Sequence, residues 1–185
     1  EEAVANLRAG QRYDVVVMDN SYIQPLAEAG LLAELDRQQL PNFKNVAPGF
    51  RGLVFDPQNR YSVPYSWGIT GLVVRPDLAA GLVDHPVTRW SDLWDPALAG
   101  KVAIWRDTPR EGIGMALKSL GYSANSEDPV ELAAAQARLL ELRTLVHFGE
   151  EWGTYTMVPA MMDGGTVVAG GYAYDARNLH DLDQP

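Results

Sequence analysis

The 185-residue sequence contains no cysteine. Disulfides, thiolate metal sites and cysteine nucleophiles are therefore excluded together. Histidine is scarce: His85, His147 and His180 share no short spacing, and a packed or solvated role fits each better than a metal or catalytic one. No apolar run approaches about 18 residues, so no segment reads as a membrane-spanning helix. A charged opening followed by an apolar stretch is also missing, and the first residue is Glu1, so a targeting segment is expected elsewhere in a longer chain. No phosphate-loop, dinucleotide, zinc-protease or serine-hydrolase motif is present. Gly49 with Gly52, and Gly112 with Gly114, lack phosphate-loop context and read as structural. No cofactor is expected.

The formal net charge is -9. An acidic surface repels phosphate backbones and disfavours nucleic acid as a partner. It also favours solubility, and it attracts cations.

Local patterns point to an α/β layered chain. Glu2 to Ala9 suits a helix closed by Gly10. Tyr13 to Met18 is a β-branched run consistent with a buried parallel strand. Ser21 with Gln24 suggests a capping box for a helix reaching Ala29 and closed by Gly30. Residues 31–60 are irregular. Tyr61 to Tyr65 reads as an extended edge or crossover segment because of Pro64, and Trp67 to Arg75 as a second extended run. A short helix is expected at Trp90 to Pro96, with both tryptophans packing, and a strand at Lys101 to Trp105. Thr108-Pro109-Arg110-Glu111 and Asp128-Pro129-Val130-Glu131 each look like a capped helix start. Further expectations are a helix within 151–163, a strand at Thr166 to Ala169, and a helix from Tyr172 to Asn178.

In open α/β sheets, ligands bind beyond the carboxyl ends of strands. The junctions of that kind are Asp19 to Tyr22, Tyr65 to Trp67, Thr108 to Glu111 and Tyr172 to Asp175, with Glu151 and Trp152 as a further pair. They supply carboxylates and aromatic faces, a pairing that suits an ammonium ligand. Each residue also has a structural alternative: Glu111 completes a capping box with Thr108, Ser21 is an N-cap, and Trp67 and Trp105 are core. Asp175 is the least easily explained structurally.

Three ordered blocks resemble a known family: Tyr61-Ser62-Val63-Pro64-Tyr65-Ser66-Trp67-Gly68; Trp90 to Pro96 followed by Gly100-Lys101-Val102; and Asp107 to Ser123, continued by Asn125 and Asp128-Pro129. They are similar to segments of the periplasmic spermidine/putrescine-binding proteins, the solute-binding components of ABC transporters. The resemblance implies a periplasmic-binding-protein type II-like α/β fold of two lobes, present here as a middle fragment, that closes on a ligand. Residues 1–68 would form part of the first lobe, 69–171 most of the second, and 172–185 a return toward the first. It implies a periplasmic or extracellular location (lipid-anchored or free), a transporter permease as partner, and no enzymatic activity. The implied ligand is a small cation such as a polyamine. The implied ligand-binding residues are Asp19, Ser21, Tyr22, Trp67, Thr108, Glu111, Trp152, Tyr172 and Asp175. The Asp19-Asn20-Ser21-Tyr22 loop and Thr108 depart from the family pattern. Another amine, an amino-acid derivative, a metal or an anion stays open as the solute, as does a sensor domain that reuses the fold.

Overall fold

The computed structural model describes residues 2–105, 108–146 and 154–182. The chain divides into two compact units, Glu1–Trp67 and Gly68–Pro185.

In the first unit, helix α1 (Glu2–Arg8) buries Val4 and Leu7. Gly10 ends it at φ 90°, a conformation that costs glycine nothing. Helix α2 (Ile23–Glu28) buries Ile23 and Leu26. Val4, Leu7 and Leu26 form a small core, against which Val16, Met18 and Tyr22 pack.

The run Tyr13 to Met18 is not a strand. It forms no ladder with any described residue, and its side chains alternate. Val16 and Met18 turn to the core, while Val15 and Val17 are 84% and 70% exposed. A buried parallel strand needs cover on both faces, and this run has it on one.

The expected capping box at Ser21 is also absent. Asp19 caps instead, leading a 3-10 turn over Asn20–Tyr22 into α2. Pro25 supplies the reason. Had Ser21 been the N-cap, Pro25 would stand fourth in the helix, where an N–H is required. With the helix starting at Ile23, Pro25 is third, where that donor has no intrahelical partner.

From Tyr61 to Ile69 no strand forms. The turn before this segment is pinned by buried Asp56. Its Oδ1 accepts from the Arg60 amide at 2.9 Å. Its Oδ2 accepts from the amides of Tyr61 and Ser62 at 3.0 and 2.9 Å and from the Ser62 hydroxyl at 2.8 Å. Burial pushes this carboxyl up, but the four hydrogen bonds outweigh burial and hold it below the ordinary carboxylate value.

The second unit is built on a three-stranded sheet ordered β1-β3-β2: β1 (Thr70–Val74), β2 (Val102–Ala103) and β3 (Val168–Tyr172). β1 pairs antiparallel with β3, and β2 pairs parallel with it, Ala103 opposite Ala169. Alternation along the strands feeds two cores. Leu72, Val74, Val102 and Val168 face one, with Leu93, Trp94, Leu98, Leu117 and Leu142. Val73, Ala103 and Ala169 face the other, with Met157, Met161 and Leu179. Fully burying one such leucine contributes about 1.5–3 kcal/mol.

The helices of this unit are α3 (Pro76–Ala79), α4 (Pro109–Ser119), α5 (Pro129–Leu142), α6 (Thr154–Met162) and α7 (Ala173–Leu182). Helices α4 and α5 pack together over the first core, with the 3-10 turn Trp90–Trp94, while α6 and α7 pack together over the second. Trp94 is buried, its Nε1–H donates to the Arg138 carbonyl at 2.8 Å, and the Arg138 guanidinium lies 4.3 Å from its ring centroid. Trp90 packs against the same core. Asp128 caps α5, its Oδ1 accepting from the amides of Val130 and Glu131 at 2.7 and 3.3 Å.

The last strand was expected at Thr166 to Ala169. It lies at Val168–Tyr172 instead, running through Gly170 and Gly171. The glycines leave room for large neighbours. A Cβ on Gly170 would stand 2.5 Å from the Trp105 ring, and one on Gly171 would stand 2.6 Å from Val73 Cγ2. Tyr172 consequently closes a strand rather than opening the helix.

Candidate functional site

Because β2 and β3 are parallel, their carboxyl ends lie at the same edge of the sheet. That edge is where ligands sit in open α/β sheets. Trp105 follows β2 and Tyr172 ends β3, and their ring centroids are 5.7 Å apart at an interplanar angle of 48°. Trp105 is 8% exposed. Its sequence context reads as core, so its contact with Tyr172 was not foreseen. The signal for it was the Gly170-Gly171 pair, which opens the space the indole fills.

Asp175 stands at the third position of α7, only 1% exposed. Its Oδ2 accepts from the Tyr172 amide at 2.7 Å, which satisfies one free donor of the helix start. Its Oδ1 is buried and has no hydrogen-bond partner. A buried carboxylate oxygen without a donor costs free energy unless a ligand or solvent meets it.

Thr108 was expected to cap α4 through its hydroxyl, with Glu111 completing the box. It occupies the N-cap position, but its side chain makes no cap bond. Its ψ is 75°, far from the extended values of Asp19 (146°) and Asp128 (122°), which do cap. Only its carbonyl serves the helix, accepting from the Glu111 and Gly112 amides at 3.1 and 3.3 Å. The Thr108 Oγ1 is buried and without a partner. Glu111 is half-buried in the first turn of α4.

In the first unit, Asp19 Oδ1 accepts from both the amide and the hydroxyl of Ser21, each at 3.0 Å. Asp19 and Ser21 are exposed and Tyr22 is half-buried. Trp67 is 68% exposed and meets Phe50 with centroids 5.5 Å apart. Together with Tyr65, Asn42 and Asn45 they line a hollow of about 290 Å³. Trp152 lies outside the described residues.

A larger open hollow in the second unit, about 720 Å³, contains none of the candidate residues. Leu72, Val74 and Trp90 on the first-core side of the sheet line it, with Arg89 and Lys118 at its wall and no carboxylate. Among the described residues no cluster of three or more histidines and carboxylates could hold a metal ion, and no helix is long and apolar enough to cross a membrane.

Known proteins resemble this chain in sequence and in fold. The chain is 39% identical over 130 residues to the spermidine/putrescine-binding periplasmic protein of Escherichia coli, which covers 70% of this chain and 36% of that protein. It is 34% identical over 180 residues to a putrescine/cadaverine-binding protein of Pseudomonas aeruginosa, covering 95% of this chain and 49% of that one. The chain thus spans between about a third and a half of the length of these relatives. Among solved structures, the TpPotD lipoprotein of Treponema pallidum superposes with a TM-score of 0.83 at 27% identity, over 96% of this chain and 54% of its own. The spermidine/putrescine ABC transporter substrate-binding protein PotD of Streptococcus pneumoniae does so with a TM-score of 0.75 at 27% identity, over 97% and 54%. The fold is that of the periplasmic binding proteins. The sequence profile of the bacterial extracellular solute-binding proteins matches residues 1–179, and the chain belongs to that family.

Proposed function

We propose that this chain is part of a receptor that captures a small amine of the polyamine class outside the cytoplasm and hands it, unchanged, to an ABC transporter permease. The observation that carries this reading is the buried Asp175 carboxylate, one oxygen held by the Tyr172 amide and the other unpartnered, beside the Trp105–Tyr172 aromatic corner. A carboxylate next to ring faces is the chemistry that holds an ammonium group and its methylenes. The ligands named for the relatives, spermidine, putrescine and cadaverine, support the same class. In this reading Glu111 adds a second carboxylate, Thr108 a hydroxyl and Trp152 a further aromatic face. Asp19, Ser21, Tyr22 and Trp67 are the first unit's own candidate residues for the same class of ligand.

A ligand that binds only the folded state raises the melting temperature. Putrescine, cadaverine and spermidine at millimolar concentration are each expected to raise that of the full-length protein by several degrees. No rise with any of the three, alongside a rise with an uncharged or anionic solute, would sink the proposal.

A further inference from the structure

In the first unit, Phe43 is buried yet belongs to none of the apolar cores. Its cover is cationic. The Arg37 guanidinium carbon lies 3.3 Å from the ring centroid, and that of Arg51 lies 5.9 Å from it. Arg51 Nε and Nη2 donate to the carbonyls of Val46 and Lys44 at 2.6 and 2.7 Å, which ties the guanidinium to the end of the 3-10 turn Pro41–Asn45. Lys44 follows Phe43 in that turn, and all three cationic residues are exposed. Among the described residues no carboxylate pairs with any of them. The carboxylates nearest in sequence are occupied. Glu34 is held by Arg60. Asp36 accepts from the Gln38 amide with Oδ1 and from the Gln39 side chain with Oδ2, each at 2.9 Å.

In a chain of formal net charge -9, this cluster is a local reversal of sign. A guanidinium stacked on a ring or tied to carbonyls keeps its fork pre-organised, and carboxylates and phosphates fit that fork. Charge decides between them. A membrane presents a continuous anionic plane, which the acidic surface of this chain as a whole opposes. A short acidic protein segment meets the three cations locally, and screening over about 8 Å at physiological salt hides it from more distant carboxylates. We propose that Arg37, Lys44 and Arg51 form a docking surface for an acidic segment of a protein partner. In the amine-receptor reading, on which this rests, the partner is the permease. A pathway for cations is lined with carboxylates, and those at its outer rim supply the acidic segment.

Two measurements on the full-length receptor test the surface. The first is ATPase stimulation of the permease complex of the same organism, reconstituted in phosphatidylcholine vesicles, by putrescine-loaded receptor. The double variant Arg37→Glu/Lys44→Glu should raise the receptor concentration for half-maximal stimulation about tenfold. Added salt should weaken stimulation by wild type more than by the variant. Lys44→Glu alone, at a side chain with no described contact, should shift the half-maximal concentration in the same direction, and it serves if the double variant fails to fold. The second measurement is calorimetric titration with putrescine, in which wild type and folded variants should match. A folded variant that stimulates at wild-type concentrations overturns the proposal and leaves the receptor reading standing. Wild-type binding to phosphatidylglycerol vesicles without permease, lost in the variant, overturns it in favour of a lipid surface. If wild type binds no amine, the receptor reading falls and the docking assignment with it.

Discussion

Gly170 and Trp105 occupy mutually dependent positions: a Cβ at Gly170 would lie 2.5 Å from Cζ3 of the Trp105 ring, far inside contact distance. The bareness of one residue is what lets the other lie against the strand and reach Tyr172. A single methyl-for-hydrogen replacement should therefore act on stability and on the candidate site at once.

Gly170→Ala in the full-length protein is expected to cost about 1–3 kcal/mol, the usual range for overpacking. It should also move the Trp105 ring away from Tyr172. Thermal unfolding checks the first effect, and indole fluorescence compared in Trp105→Phe backgrounds checks the second. An alanine variant as stable as wild type, with unchanged Trp105 emission, would contradict the packing described.

Asp56 should make the first unit acid-sensitive. Its carboxyl titrates below its ordinary value of 3.8 in the folded state, because four donors converge on it. A folded pKa lower than the unfolded one contributes stability that is fully present above the unfolded pKa. That stability is lost as pH falls below about 4 through the folded value. Asp56→Asn places an amide N–H₂ among donors and should destabilise by about 1–3 kcal/mol at neutral pH. It should also flatten the loss of stability between pH 4 and pH 2. Denaturant melts across that range test both.

Asp128 caps α5, the longest helix among the described residues. Asp128→Ala removes acceptors for two amides and should cost about 1 kcal/mol, read as a shift in the urea midpoint with unchanged slope. Thr108→Ala removes no cap bond and, in the absence of ligand, should cost less than Asp128→Ala.

These contrasts show what was legible in the sequence. The helix that starts at Asp128, its cap, and the positive-φ glycines Gly10 and Gly30 were all readable, because caps act within a few residues. Strand β1 lay within the extended run that contains Gly71, and β2 within Lys101 to Trp105. Tyr13 to Met18 misled because β-branched content does not reveal whether a ladder partner exists. Thr108 misled because a capping sequence does not fix ψ. Strand β3 starts two residues and ends three residues later than expected, because Gly170 and Gly171 look like a break until the Trp105 ring that needs them is known. For the candidate site, Asp175 was singled out as hard to explain structurally, and its unpartnered oxygen gives that difficulty a physical form. Trp105 was passed over, since an indole beside a buried strand looks the same whether or not one edge meets a ligand.

The most direct test of the account is the affinity of full-length Asp175→Asn for putrescine. The asparagine keeps the shape of the side chain and can still accept from the Tyr172 amide, but it presents no negative charge to a ligand. Loss of a charge-assisted hydrogen bond of about 1.5–3 kcal/mol corresponds to a ten- to hundredfold or greater weakening. Calorimetry should therefore show the dissociation constant rising by at least tenfold, with the fold unchanged by circular dichroism. A well-folded Asp175→Asn protein that binds putrescine as tightly as wild type would contradict the central claim that this buried carboxylate holds the amine.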